Sequence, residues 1–292
     1  MAETKATTRL SAIVSDGPLG RYNSGMTDLE RLAAHLESMG RVLLGFSGGV
    51  DSSLLAVAGV RALGVERFLA VLGVSPSLAD AGRAQAGALA EQFGVPFLEV
   101  ETRELEDPRY AANPTNRCFF CKTELWNRLT GEALTRGFDT VIDGTNADDL
   151  NEHRPGLGAA MQYQVRSPLA ELGWRKADIR TAARALGIPV WDAPASPCLS
   201  SRIRYGVAVT PQRLRQVERA ETFLRSLGVE GDLRVRHLGE SARIEALPSQ
   251  FALLDRCWAG ITEVFHALGF TTVDRDPAGY RRGALLPLAG VR

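Results

Sequence analysis

The chain has 292 residues, 45% of them apolar, and its 34 basic side chains balance 34 acidic ones. This is the composition of an ordinary globular protein, large enough for one large domain or two modest ones. A formal charge of zero provides no field to gather nucleic acid or an acidic membrane, and no apolar run approaches the length that spans a bilayer.

Met1 to Gly25 lacks a basic head followed by an apolar core, so residues 1–26 are read as a flexible segment of a cytoplasmic protein without a secretory signal. Thr27 and Asp28 open a predicted helix that carries Leu29, Leu32, Ala33 and Leu36, with Gly40 as its stop. The apolar run Arg41 to Phe46 then leads into Ser47-Gly48-Gly49-Val50-Asp51-Ser52, and a helix-like run follows from Ser53 to Leu63. Further predicted strands lie at Phe68 to Val74, Pro96 to Val100 and Thr140 to Asp143, separated by helical stretches at Leu78 to Phe93 and Lys122 to Arg136. Such alternation predicts an α/β fold, a doubly wound parallel sheet with helices on both faces. Ligands of these sheets bind beyond the carboxyl ends of strands, where Ser47 and Gly144 both fall.

Past Arg204 the pattern changes. Thr210 and Pro211 begin a helix running to Leu227, Arg234 to His237 and Ala242 to Glu245 read as short strands, and a helix near Gln250 to Leu268 precedes a strand at Thr271 to Val273. The expected division is therefore a sheet domain over 27–205 and a smaller α+β domain over 206–292, the latter serving substrate binding or oligomerisation.

The glycines of the 47–52 run allow close approach of backbone to an anion, and the unpaired N–H groups of a helix start favour negative charge. The run lacks the Gly-Lys-Ser/Thr ending of a Walker loop. Asp51 would repel phosphate unless its charge is offset, which points to a magnesium nucleotide and makes Asp51 a candidate Mg2+ ligand. Asp143-Gly144-Thr145-Asn146, with Asp148 and Asp149, reads equally well as a capped turn or as a group that meets ribose, a nucleotide edge or magnesium.

Cys118-Phe-Phe-Cys121 is a CxxC pair, and Cys198 lies far away in Ser196-Pro-Cys-Leu-Ser-Ser-Arg202. Alone, the pair fits a redox couple, half of a zinc site or two buried thiols. Three thiolates also suit an iron–sulfur cluster with one iron left open. Cys257 reads as a small apolar side chain on a helix. His35, His153, His237 and His266 are scattered, without metal-ligand spacing. Arg202 and Arg204, then Arg234 and Arg236, form two basic groups that fit either an anionic substrate or a solvated surface.

The 47–52 run resembles the pyrophosphate loop of the ATP pyrophosphatases. Together with Val141 to Asn146, the Arg154-Pro-Gly-Leu157 turn, Ser200-Ser-Arg202, Glu218 to Gly228 and Arg234-Val-Arg236, it makes the chain similar to the LarE family from about Asp28 to Gly283. These are ATP-dependent sulfur transferases that help build the nickel-pincer nucleotide cofactor. The resemblance implies that ATP adenylates a carboxylate of a pyridinium-dicarboxylate mononucleotide, that pyrophosphate leaves and that sulfur displaces AMP to give a thiocarboxylate. It assigns ATP to Ser47, Gly48, Gly49, Asp51, Ser52, Gly144, Thr145 and Asn146, and substrate to Ser201, Arg202, Glu221, Arg234 and Arg236.

One type of family member surrenders the sulfur of a cysteine that immediately precedes the position of Cys198; here Pro197 stands there. Cys118, Cys121 and Cys198 instead resemble the members that bind a [4Fe-4S] cluster and carry an extra sulfide from a donor on the fourth iron. The resemblance further implies trimers, which can pair into hexamers. Three other readings stay open: sacrificial transfer from Cys198, tRNA thiolation, and a zinc-stabilised nucleotide-binding module.

Overall fold

A computed structural model describes residues 26–151, 155–194 and 197–281. The residues divide into two compact units, one from the described parts of 1–75, 80–102 and 118–196, the other from 76–79, 103–117 and 197–292. The His153 reading and Arg154 of the 154–157 turn lie outside the described residues.

In the larger unit, helix α1 (Asp28–Glu37) starts with a reciprocal cap. Thr27 Oγ1 accepts from the Glu30 amide at 3.3 Å while the Glu30 carboxylate accepts from the Thr27 amide at 2.7 Å. Strand β1 (Val42–Gly45) is buried on both faces and leads through the 47–49 turn into α2 (Val50–Leu63), which begins three residues earlier than predicted. There follow β2 (Phe68–Val74), α3 (Asp80–Gln92) and β3 (Phe97–Glu101). After the passage through the smaller unit come α5 (Arg117–Arg136) and β4 (Thr140–Ile142), where α4 is the short helix Pro108–Ala111 within that passage. The sheet order is β3-β2-β1-β4, all parallel, as the alternating pattern predicts.

Two differences bear on the site. Helix α5 extends five residues upstream of its predicted start, so Cys118 and Cys121 sit among its first five residues; Phe119 packs against the core that holds Trp126, Leu129 and Ala133, and this burial extends the helix. Between 155 and 185, where no element is predicted, the chain forms α6 (Pro155–Gln162), α7 (Pro168–Glu171) and α8 (Lys176–Ala185). Small residues hide these helices from a periodicity argument: α8 buries only Ile179, Ala182 and Ala183.

The smaller unit contains α9 (Pro211–Ser226), β5 (Leu233–His237), β6 (Ser241–Ala246), α10 (Phe251–Ala267) and β7 (Thr272–Arg275). The sheet order is β5-β6-β7, antiparallel then parallel, since α10 carries the chain across to return β7 alongside β6. Leu224 of α9 and Leu254, Ile261 and Phe265 of α10 share one apolar core with Val235 and Ile244 of the sheet. Cys257 packs against that core, in line with its reading as a small apolar side chain. No helix among the described residues is long and apolar enough to cross a membrane.

Candidate functional site

The larger unit concentrates its polar chemistry where β1 meets α2. Gly48 takes φ 71°, a left-handed conformation that suits glycine, and a Cβ there would lie 3.1 Å from Ala86 of α3. Its carbonyl accepts from Gln85 Nε2 at 3.0 Å, so α3 clamps the turn from the far side. The hydroxyl of Ser52 ties the loop internally: it accepts from the Ser47 amide at 3.3 Å, meets Ser47 Oγ at 3.1 Å and donates to the Gly49 carbonyl at 3.1 Å. Ser47 and Gly49 remain exposed at the mouth of the turn.

The 143–149 turn lies directly against this loop. Gly144 has no room for a side chain, because a Cβ would lie 3.1 Å from the Ser52 amide nitrogen and 3.3 Å from Asp51 Cβ. Asn146 Nδ2 donates to Asp51 Oδ1 at 3.3 Å. The neighbouring carboxylates are spent on the turn itself: Asp143 accepts from Thr145 Oγ1 (2.8 Å), the Thr145 amide (3.0 Å) and Ser167 Oγ (2.7 Å), while Asp149 accepts from the Asn146 amide at 3.1 Å. Asp143, Thr145 and Asp149 build the turn together with Asn146 Oδ1, which accepts from the Asp148 and Asp149 amides at 3.0 and 3.3 Å, and Gly144 and Asn146 Nδ2 face the loop.

Sequence reasoning missed Lys176. Its Nζ lies 2.5 Å from Asp51 Oδ2, and its amide donates to Asp148 at 2.9 Å. A lysine at the first position of a helix opposes the helix dipole, and that mismatch is the local signal that could have flagged it. The ammonium offsets the Asp51 charge that would otherwise repel a phosphate at the start of α2. Gly49 caps α2 without a side chain, leaving amide donors of the first turn for another acceptor.

On α5, Cys118 and Cys121 are spaced i, i+3 and so share a face. Cys118 is exposed and Cys121 half-buried, neither in a disulfide. Gly156 of α6 packs against this turn, its Cβ position 3.0 Å from Lys122 Cγ and 3.7 Å from the Cys118 carbonyl. The thiol donors suit iron or zinc in kind. Among the described residues, no three His, Cys, Asp or Glu side chains gather as a metal-ligand group.

In the smaller unit, Cys198 is exposed and caps the 3-10 turn Leu199–Arg202. Ser201 Oγ donates to the Cys198 carbonyl at 2.7 Å. Arg202 is buried and forks onto Glu221, at 3.0 and 3.1 Å, while also donating to the carbonyls of Pro197 and Cys198. Arg236 Nη2 lies 2.7 Å from Glu245, both side chains buried, and Arg236 Nη1 donates to the Ser201 carbonyl at 3.0 Å. Arg234 stacks on the Tyr280 ring at 5.2 Å; burial, followed by the like charge of Arg202, pushes its guanidinium below the ordinary arginine value. The solvated-surface reading of Arg202, Arg234 and Arg236 is thus corrected: all three are buried, and Arg202 and Arg236 hold internal carboxylates. Arg204 alone of the four is exposed.

The three described histidines each have a hydrogen-bond partner. His35 meets Glu171 at 2.7 Å, His266 Nδ1 faces the Phe270 carbonyl at 2.8 Å, and His237 Nε2 faces Gln216 Oε1 at 3.0 Å.

Residues 29–116 match the family described as NAD synthase. The chain is 33% identical to pyridinium-3,5-bisthiocarboxylic acid mononucleotide synthase of Lactiplantibacillus plantarum, covering 87% of this chain and 92% of that protein. An uncharacterized protein of Synechocystis sp. is 43% identical over 88% of this chain and 96% of its own. One from Methanocaldococcus jannaschii is 30% identical over 70% and 77%.

Proposed function

The chain belongs to the LarE family within the PP-loop ATP pyrophosphatases, and on that premise we propose that it converts a carboxylate of pyridinium-3,5-biscarboxylic acid mononucleotide to a thiocarboxylate at the expense of ATP. The observation that carries this reading is the 47–52 loop, with Asp51 neutralised by Lys176 and hydrogen-bonded by Asn146, in a chain similar over nearly its whole length to a synthase of the bisthiocarboxylic nucleotide.

Ser47, Gly48, Gly49, Ser52 and Lys176 bind the phosphates of ATP, and Asp51 would hold Mg2+, which when bound would offset the phosphate charge. Gly144 and Asn146 keep the loop in register, and Thr145 stays with them as a nucleotide contact. Adenylation gives the substrate carboxylate a leaving group, AMP, that it otherwise lacks at neutral pH. Backbone amides at the start of α2 stabilise the departing pyrophosphate. In the smaller unit, Ser201, Arg202, Glu221, Arg234 and Arg236 form the substrate-binding group. Arg202 and Arg236 act there by fixing its shape through Glu221 and Glu245, and Arg234 supplies the cationic face.

Cys118, Cys121 and Cys198 would hold a [4Fe-4S] cluster, which when bound would supply sulfur carried on its open iron. Pro197 favours this reading over the sacrificial one, since it has no sulfur to surrender. The test is incubation with ATP, Mg2+, the dicarboxylate mononucleotide and sulfide under anaerobic conditions, with AMP, pyrophosphate and thiocarboxylate quantified. Formation of all three is expected, and AMP without substrate dependence would overturn the reading. Intact mass after turnover separates the two sulfur routes: loss of one sulfur from Cys198 would establish the sacrificial one.

A further inference from the structure

We infer that Tyr110 and Asn113 are positioning residues that fix the Cys198-bearing segment for sulfur delivery, an inference that rests on the sulfur-transfer reading above. The segment from Cys198 to Val207 has little regular structure of its own, only the 3-10 turn and an isolated bridge between Ile203 and His237. Buried side chains from 76–79 and 103–117, all within the smaller unit, hold it instead.

The first anchor is a closed triangle of hydroxyls. Tyr110 Oη lies 2.6 Å from Ser200 Oγ and 2.9 Å from Ser77 Oγ, and the two serines meet at 3.1 Å. The Ser77 carbonyl also accepts from the Leu199 amide at 2.9 Å. All three side chains are buried, so a shift of the segment would strand hydroxyls away from water.

The second anchor is Asn113, fully buried and at φ 56°, a left-handed conformation that few residues other than glycine and asparagine tolerate. Its Nδ2 lies 2.9 Å from the carbonyls of Arg204 and Val207 and 3.3 Å from that of Ile203. Its Oδ1 accepts from Arg117 Nη1 at 2.5 Å, and its backbone carbonyl accepts from the Gly206 amide at 3.0 Å. One side chain thus gathers three carbonyls of an irregular segment and is itself oriented by a buried guanidinium.

The consequence falls on Cys198. Its backbone carbonyl is pinned by Ser201 Oγ and Arg202 Nη1 while the residue is exposed, which gives a thiol on a fixed base. Group transfer needs that fixity, because a displacement of about 1 Å can cost on the order of 100-fold in rate. Neither Tyr110 nor Asn113 is a reacting group. They act through Ser200 and the 203–207 carbonyls.

Tyr110→Phe deletes one hydroxyl while keeping the ring and the direct bond between the serines; Asn113→Gly relieves the left-handed backbone and deletes the amide. Full-length variants are given ATP, Mg2+, the dicarboxylate mononucleotide and sodium sulfide, and thiocarboxylate formed per AMP is measured beside amide hydrogen exchange at 199–206. Expected are AMP formation within about twofold of wild type, because water displaces AMP from an adenylate that sulfur no longer reaches and returns the carboxylate, about tenfold less thiocarboxylate per AMP, and faster exchange at Leu199 and Gly206. A merely structural role would lower AMP and product together, so an unchanged ratio in Tyr110→Phe overturns the inference even if Asn113→Gly fails to fold. If wild type forms neither AMP nor product, the sulfur-transfer reading has failed; exchange then judges the anchoring, with unchanged rates overturning it.

Discussion

The pyrophosphate-loop region and the Cys198-to-His237 region handle charge in opposite ways. At the loop, anion affinity comes from backbone amides and a helix start, and its one carboxylate, Asp51, meets a half-exposed lysine. In the smaller unit two pairs are buried or nearly so: Arg202 with the half-buried Glu221, and Arg236 with Glu245. The first arrangement can exchange partners when a ligand arrives, because solvent lowers the cost of separating Asp51 from Lys176. The second cannot, since removing either member leaves an uncompensated buried charge. The loop is therefore built to bind and release, and the smaller unit to hold a shape.

The sharpest way to break this comparison is Glu245→Ala, which strands Arg236. A loss of about 3–5 kcal/mol in chemical denaturation is expected, and a loss below about 1 kcal/mol would mean that solvent screens the pair as it does at the loop. Lys176→Met probes the other side: about 10- to 100-fold less substrate-dependent AMP formation, with stability changed by less than about 1 kcal/mol. Equal damage to folding and to activity would erase the distinction.

A smaller effect follows from His237, whose imidazole is pushed down to about 4 by burial and then by the charge of Arg213. The folded protein keeps it neutral, whereas the unfolded chain takes up a proton near the ordinary value of 6.5. Stability is therefore full above about 6.5 and declines as pH falls toward 4, by up to about 3 kcal/mol. Urea midpoints across that range should fall less in His237→Gln than in wild type; parallel curves would mean that His237 is not the group whose proton uptake unfolds the protein. Smallest is Thr27→Ala, which removes the α1 cap and should cost about 1 kcal/mol with AMP formation unchanged.

These two regions also differ in how far they could be read from the sequence. The loop was legible because its physics is local: adjacent glycines, an apolar strand before them and a helix after them define an anion site within a few residues. Lys176 was not, since 125 positions separate it from Asp51 and only its awkward place at a helix start hints at a distant partner. The parallel sheet and the helices with wide apolar stripes were legible for the same local reason, while α6, α7 and α8, short or lined with alanine, left little periodic signal. In the smaller unit the arginines were visible as residue types, yet nothing in Arg234-Val-Arg236 says that Glu245 or Glu221 meets them. The hydroxyl triangle joins residues 33 to 123 positions apart and has no sequence signature at all.

If the 47–52 loop activates a carboxylate for sulfur transfer, the stoichiometry of a single turnover follows from it. Wild-type protein, ATP, Mg2+, sodium sulfide and pyridinium-3,5-biscarboxylic acid mononucleotide should give AMP, pyrophosphate and thiocarboxylate in equal amounts, none of them without the mononucleotide. Pyrophosphate and AMP formed with no thiocarboxylate, or ADP in place of AMP, would contradict it.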